Sequence, residues 1–463
     1  MSRDIYDIAI IGAGPAGMAA AIEADRRGAS VVLLDEQPRP GGQIYRNVGI
    51  ATPRQREVLG QDYAKGDALV TALERSGAKH LSDITVWQIT GTGRIAYSRK
   101  NQAEQLEARQ VIVATGATER PVPLPGWTLP GVLTAGAAQI LMKSGGLVAE
   151  DAVLVGSGPL LYLIAAQMVA AGSPPKAMIE TQTGSDLQAA MKHLGGALRG
   201  WRYLAKGLSL IAQLKRAGVR RYTGAGDIKV LGSDRAEAVS FTWKGRELRI
   251  ETDTVLLHQG VVPNTQITRS LQLDHRYEED QRCFVPVTDT FGLSSSPIVS
   301  VAGDGAGIGG AAVAALSGQL AALGALHRLD LITNETFETS SAPILETRAK
   351  ELAVRPFLDR AYPPSQQTLK PVDTTIICRC EEVTAGDIRR YAALGCKGPN
   401  QAKAFGRSGM GPCQGRYCGL TVTEILSAEN GISQQETGAL RIRSPIKPVT
   451  LGELAAYQEE EHA

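Results

Sequence analysis

The 463-residue sequence predicts an α/β protein: two Rossmann-like, three-layer dinucleotide-binding domains followed by a small helical module. Three observations carry this reading. A strand near the start runs into a G-x-G-x-x-G loop at residues 12–17. A second strand runs into an altered loop at residues 156–161. Five of the six cysteines fall within residues 378–418, four of them as the pairs Cys378/Cys380 and Cys413/Cys418. A hydrophobic content of 43% with 21% charge is that of a soluble globular chain. The formal charge of +2 suggests neither nucleic acid nor an acidic membrane surface as a partner. No apolar run is long enough for a membrane span, and the opening residues lack the pattern of a signal peptide. A cytoplasmic location is expected, soluble or peripheral at the inner membrane face. Clustered cysteines in that reducing setting act as ligands rather than disulfides.

The first unit is read in order. Ile5 to Ile11 is rich in isoleucine, as a strand buried on both faces requires. It enters Gly12-Ala13-Gly14-Pro15-Ala16-Gly17, then a helix from Ala16 to Arg27 stopped by Gly28. A strand from Ser30 to Leu34 follows and ends at Asp35 and Glu36. In such a unit Gly12 makes the tight turn, Gly14 admits the pyrophosphate and Gly17 lets the helix lie close to the strand. The helix start, with Pro15 and Ala16, offers free N–H groups to phosphate. Asp35, with Glu36 beside it, is placed for the ribose hydroxyls.

Three further segments favour FAD in this unit. Gly41-Gly42-Gln43-Ile44-Tyr45 resembles the G-G-Q stretch of thioredoxin-reductase-like flavoproteins. Val111 to Ala117, containing Thr115 and Gly116, is similar to their A-T-G turn. Ile298 to Gly305, containing Gly303 and Asp304, resembles their G-D segment, whose aspartate holds the flavin ribityl chain. A long apolar helix is expected from about Ile308 to His327, its positive end directed at the flavin. The alternative for Asp304 is a helix N-cap.

The second unit runs from a strand at Ala152–Val155 through Gly156-Ser157-Gly158-Pro159-Leu160-Leu161 into a helix, and on to a strand ending at Glu180. Leu161 stands where close packing calls for glycine, so it should push the helix outward and reshape the diphosphate pocket. Glu180 would repel a 2′-phosphate. NAD or an adenine nucleotide such as ATP or ADP, held by Gly156, Gly158 and Glu180, stands here against an empty structural remnant. Neither residues 41–60 nor residues 121–265 contain a cysteine, so disulfide reduction is not expected. No side chain stands out as a catalytic acid or base, and the six histidines read as surface or packing residues.

In the cysteine module, Cys378-Arg-Cys380 precedes a capping box, Thr384 with Asp387, and a helix to about Leu394. A short helix at Asn400–Phe405, the loop Gly409 to Gly419 with Cys413 and Cys418, and a helix at Leu420–Glu429 complete it. Four thiolates can hold a [2Fe–2S] cluster. Structural zinc, the alternative, usually begins with a wider pair than C-x-C.

The segment from Cys378 through Cys418 resembles the bacterioferritin-associated-ferredoxin-like (BFD-like) [2Fe–2S] domain. With the GAGPAG, GGQIYR and ATG segments and the altered GSGPLL loop, nearly the whole chain resembles the A subunits of opine (octopine or nopaline) oxidases. The B subunit of hydrogen cyanide synthase and the alpha subunits of proline, hydroxyproline and sarcosine dehydrogenases are similar. The resemblance implies FAD at the first glycine loop and a [2Fe–2S] cluster on Cys378, Cys380, Cys413 and Cys418. It also implies an FAD-dependent glycine- or D-amino-acid-oxidase-like partner that oxidises the amine. Compatible with it are FMN at the subunit interface and a small ferredoxin-like third subunit.

The expected organisation is an FAD domain split between residues 1–120 and 266–345, around an inserted domain at 121–265. A proline-bearing linker at 346–371 and a BFD-like domain at 372–435 follow. A tail at 436–463 is expected to pack against a partner or the core. The expected function is electron transfer within a heteromeric, flavin-dependent dehydrogenase or oxidase of a secondary amine. A stand-alone NADH-dependent reductase and a nucleotide-binding scaffold with structural zinc are the competing readings.

Overall fold

The computed structural model describes residues 5–457. The acidic Glu459–Glu461 stretch of the tail lies outside them. Strand Ile5–Ile11 is central in the first sheet, flanked in parallel by Val31–Leu34 and by Gln102–Val113. Lys79–Leu81 extends one side. On the other side Val299–Val301 pairs in parallel with the end of Gln102–Val113, Val301 opposite Val113. The start of that long strand forms an antiparallel meander with Arg94–Arg99 and Thr85–Ile89. The sheet thus takes strands from both sides of residues 121–265.

The second sheet is wholly parallel, in the order Arg220–Thr223, Ala177–Glu180, Val153–Ser157, Val255–Gln259, Val132–Thr134. Its inner strands are buried along their whole length, matching the unbroken apolar runs of a parallel sheet with both faces covered. The chain enters and leaves this unit through an antiparallel pair, Ala117–Glu119 with Val261–Pro263. One hydrophobic cluster runs through both units, from Ile8 and Ala16 to Leu154, Leu161 and Leu256.

One expectation changes. The helix expected from about Ile308 begins at Ala311 and runs to Arg328, because residues 303–310 form a glycine-rich turn first. The linker at 346–371 is largely helical: Asn334–Leu352, Arg355–Ala361 and Gln366–Leu369. Pro356 falls in the first helical turn, where its missing N–H costs nothing. This segment clasps the second unit. The Gln367 side chain donates to the Ile228 carbonyl at 2.7 Å and accepts from the Ile228 N–H at 2.9 Å.

The tail packs on the first unit. Leu440, Ile442 and Ile446 are buried in one cluster with Ile11, Leu34 and Val86. The Ile446 N–H donates to the Trp87 carbonyl, and Tyr457 meets the Trp87 ring edge-on at 4.9 Å.

The cysteine module folds as expected in its elements. Thr384 and Asp387 make a reciprocal capping box for helix Ala385–Ala393. Helices Pro399–Gly406 and Gly419–Asn430 follow, the last ended by Gly431 in the left-handed conformation. Their apolar faces form a separate small core around Ile388, Val422 and Ile425.

Candidate functional site

The segments read as nucleotide-binding converge on one place. The Gly41 N–H donates to the Ala13 carbonyl at 2.8 Å. A Cβ on Gly42 would come 2.8 Å from the Gly14 Cα, so the G-G-Q segment lies directly on the first glycine loop. A Cβ on Gly17 would meet the Gly12 carbonyl oxygen at 1.8 Å, the close helix–strand approach that this position requires. A Cβ on Gly303 would come 2.8 Å from the Ala16 Cβ, and Gly305 faces Gly116. Gln43 and Thr115 sit on the two flanking segments, the Thr115 hydroxyl donating to the Asn264 carbonyl at 3.4 Å. Backbone with so little side-chain cover, at the start of helix Pro15–Arg26, has the features that let a glycine loop receive a phosphate.

The acidic residues are placed differently from one another. Asp35, expected at the ribose, braces the glycine loop: its carboxylate accepts from the Ala13 N–H at 2.5 Å and the Gln37 N–H at 2.7 Å. Burial raises its pKa, against the pull of those two amides. Glu36 is exposed and pairs with Lys447 of the tail at 2.8 Å. Asp304 accepts from the Gly309 and Gly310 N–H groups with Oδ1, both at 2.9 Å. One oxygen of Asp304 therefore holds the turn before helix Ala311–Arg328, whose N-cap is Gly310 and not Asp304. Its Oδ2 makes no protein hydrogen bond among the described residues.

The second glycine loop departs from the first. Gly158 sits at φ 121°, whereas its counterpart Gly14 sits at φ −75°. Leu161 is buried in the core shared by the two units. The loop, not a gap, absorbs the missing glycine. A Cβ on Gly156 would strike the His258 carbonyl oxygen at 1.6 Å, and one on Gly158 would come within 3.3 Å of the His258 ring. That imidazole, read from sequence as packing, covers the loop and shares a 2.5 Å hydrogen bond with Glu119. Glu180 is a correction. It is 0% exposed, with its carboxylate bound to Arg221 at 2.5 Å, Gln182 at 2.6 Å and the Tyr162 hydroxyl at 3.1 Å. A carboxylate enclosed in this way neither takes a ribose nor repels a 2′-phosphate.

The four clustered cysteines come together as two pairs. Cys378 and Cys418 are buried, Cys413 is half-buried and Cys380 is exposed. The Cys418 thiol bonds to the Cys378 sulfur, and the Cys380 thiol is in hydrogen-bonding reach of Cys413. Among the described residues, no three His, Cys, Asp or Glu side chains converge on a single ion position. The Cys418 thiol, with the N–H groups of Glu381, Gly409 and Cys380, pulls the Cys378 pKa down to about 6 against the effect of burial. Cys418 is pushed well up, by its bond to Cys378 and then by burial. Burial raises Cys380, while the Cys413 N–H opposes this. Close glycine packing makes the amide approach possible: a Cβ on Gly411 would lie 2.3 Å from the Cys380 Cβ. Four cysteines in two pairs, with amides directed at sulfur, are a donor set that could hold a metal centre once deprotonated. Cys396 is buried in the same small core as Cys378 and Cys418, and Cys283 is buried in another cluster.

The two sites are joined by one short segment. The Asn264 N–H donates to the Gly116 carbonyl at 2.9 Å. Two residues on, the Gln266 side chain donates to the carbonyl of Gln414, next to Cys413, at 3.3 Å. On its other flank the module docks through Glu424, which takes Arg282 at 2.7 Å, and through Arg379, over the Trp127 ring at 5.4 Å.

Residues 6–318 match the pyridine nucleotide-disulphide oxidoreductase family, and residues 373–458 match the sarcosine oxidase A3 domain. The A subunit of opine oxidase from Agrobacterium tumefaciens (strain Ach5) is 45% identical, covering 98% of this chain and 92% of its own. The HcnB subunit of hydrogen cyanide synthase from Pseudomonas protegens is 32% identical, covering 97% of this chain and 98% of its own. The crystal structure of L-proline dehydrogenase from P. horikoshii superposes with a TM-score of 0.69 over 98% of this chain and 80% of that one. Its 20% identity speaks for the fold. The chain belongs to the family of opine oxidase A subunits, built on the pyridine nucleotide-disulphide oxidoreductase fold.

Proposed function

We propose that this chain is the electron-transferring subunit of a heteromeric, flavin-dependent amine dehydrogenase or oxidase. Its relatives make it an oxidoreductase acting on amine donors, as one part of a larger enzyme. The proposal assigns FAD to the first glycine loop and a [2Fe–2S] cluster to Cys378, Cys380, Cys413 and Cys418. Oxidation of a secondary amine, such as an opine, proline, hydroxyproline or sarcosine, falls to a glycine-oxidase-like partner. When bound, the flavin supplies electron-pair acceptance and the cluster supplies single-electron exchange.

The observation that carries the reading is the bridge Asn264–Gln266, which touches the flavin-side turn at Gly116 and the loop of Cys413. Each end has its own task. Gly14, Gly42 and the start of helix Pro15–Arg26 would hold the diphosphate, and the second oxygen of Asp304 would be available to the nucleotide. Amides of residues 380, 381, 409 and 413 stabilise negative sulfur.

The competing NADH-reductase reading needs an open second loop, and His258, Leu161 and the enclosed Glu180 weigh against it. The test is to assay amine dehydrogenation with the chain alone and with a co-expressed oxidase-like partner. Activity only in the complex is expected. Full turnover by the isolated chain would defeat the assignment.

A further inference from the structure

The loop that carries Cys413 and Cys418 belongs to a part of the chain without acidic residues. Residues 397–423 hold Lys397, Lys403, Arg407 and Arg416 and no aspartate or glutamate. Residues 437–452 hold Arg441, Arg443 and Lys447, and again no acid. The fold brings the two stretches together. The Asn400 side chain donates to the Ala439 carbonyl at 3.0 Å and accepts from the Arg441 N–H at 2.9 Å. Leu440 lies so close to Gly409, Gly415 and Gly419 that a Cβ on any of them would meet its side chain. Burial lowers the pKa of Lys403, and the Arg443 and Arg441 charges lower it further. Three cations thus crowd one place, and none of them has a carboxylate partner among the described residues. Of the acids at the border, Glu381 pairs with Arg407 at 3.0 Å and Glu36 with Lys447 at 2.8 Å. Glu382 is exposed.

A cationic surface of this kind attracts an anionic partner and repels a second copy of itself. Its position tells which kind of anion it serves. It borders the part of the cysteine quartet that reaches solvent: Cys380 is exposed and Cys413 half-buried, and Gly411 packs on the Cys380 Cβ. Beside Gly411, Met410 is 48% exposed, and Tyr417, next to Cys418, is 43% exposed. Exposed Met and Tyr side chains with arginines at their edge have the make-up of a protein interface, an apolar centre within a polar rim. Electron-transfer encounters use small interfaces, below about 1,200 Å² in total, and are steered by charge. An anionic lipid surface would meet the same charges, but it gives the exposed edge of the quartet no task.

We propose that the surface bearing Lys403, Arg441 and Arg443, with Met410 and Tyr417, docks an acidic one-electron carrier protein. The inference rests on the cysteines holding a one-electron cluster, as proposed above. One electron passes per encounter, the cluster being oxidised and the carrier reduced. The test uses the full flavin-loaded chain with two probes, an acidic plant-type ferredoxin and the basic cytochrome c. Each is titrated calorimetrically at about 20 mM and about 300 mM salt, with iron content measured in parallel. Ferredoxin binding is expected at low salt and about tenfold or more weaker at high salt, with no binding of cytochrome c. Lys403→Glu combined with Arg443→Glu should lose about tenfold or more in ferredoxin affinity, with flavin content unchanged. Met410→Ser should weaken binding without altering its salt dependence. Lys192→Glu combined with Arg199→Glu, at exposed cations of the second unit, should bind as the parent does. No ferredoxin binding up to about 1 mM at low salt, equal binding of cytochrome c, or unchanged affinity in the Lys403/Arg443 variant would overturn the proposal. So would sedimentation of the chain with phosphatidylglycerol vesicles that the same two substitutions abolish, which would give the surface to lipid. An iron-free chain that still binds ferredoxin would sink the cluster and keep the docking surface. An iron-loaded chain that fails to bind would do the reverse.

Discussion

The side-chain nitrogen of Lys143, on a helix of the second unit, donates to the backbone carbonyl of Gln43 in the G-G-Q segment of the first at 3.0 Å. It also donates to Gln139 at 2.8 Å. Gln139 in turn donates to Gln167, and Gln167 to the Leu59 carbonyl. A buried polar chain thus bolts the second unit to the wall of the flavin site. In its low-dielectric setting each link is worth more than at a surface.

Burial, with the Arg46 charge second, pushes the Lys143 pKa down to about 7. The unfolded chain then binds more protons than the folded one between about pH 7 and pH 10.5, so this residue makes stability rise with pH across that window. Below pH 7 its penalty is fully present. The gain is on the order of a few kcal/mol. Lys143→Met should flatten the rise of melting temperature between pH 7 and 9 relative to the parent chain. An unchanged slope in parallel thermal melts would show that Lys143 does not titrate there.

Helix Ala311–Arg328 crosses helix Pro15–Arg26 at Gly318, where a Cβ would stand 2.0 Å from the Ala16 carbonyl oxygen. Backbone cannot yield as a side-chain tip can, so Gly318→Ala should cost about 1–3 kcal/mol. Gly17→Ala faces the Gly12 carbonyl at 1.8 Å and should also lower FAD affinity by roughly tenfold or more. Flavin-to-protein absorbance ratios and thermal melts measure both effects.

Much of this was legible in the sequence because it rests on local chemistry. The first glycine loop, its helix, the Thr384–Asp387 box and the Gly431 stop all follow from residues within one turn of each other. Legibility ended where partners are distant. Nothing near Glu180 in sequence marks Arg221, 41 residues on, as its counter-ion. Lys143 reads as a surface helix residue, yet its partner Gln43 is 100 residues away. The helical linker was obscured by prolines, which a first helical turn accepts. Gln266 looks ordinary until the Cys413 loop folds against it.

The enclosed Glu180 gives a further prediction. Glu180→Gln leaves Arg221 without its carboxylate, and Arg221 keeps a quarter of its side chain in water. Solvent screening reduces the loss, so about 1–3 kcal/mol is expected rather than the full cost of a buried pair. Adding NADH anaerobically should leave the flavin absorbance of both the parent chain and the variant unbleached. Rapid bleaching would instead favour a reductase with a working second loop.

The cysteines can be sorted by substitution. Cys378→Ser, Cys380→Ser, Cys413→Ser and Cys418→Ser should each lose bound iron. Cys396→Ser and Cys283→Ser should keep it, since Cys396 is a packing member of the module's small core and Cys283 lies in a different cluster. Iron retained in Cys418→Ser would break the proposed ligand set.

Everything proposed for electron transfer depends on what the two thiol pairs hold. The direct measurement is metal and acid-labile sulfide analysis of the anaerobically purified chain, with low-temperature paramagnetic resonance after dithionite. About two irons and two sulfides per chain, with a reduced-cluster signal, is the predicted result. Zinc in place of iron, or no iron and no signal, would contradict the account.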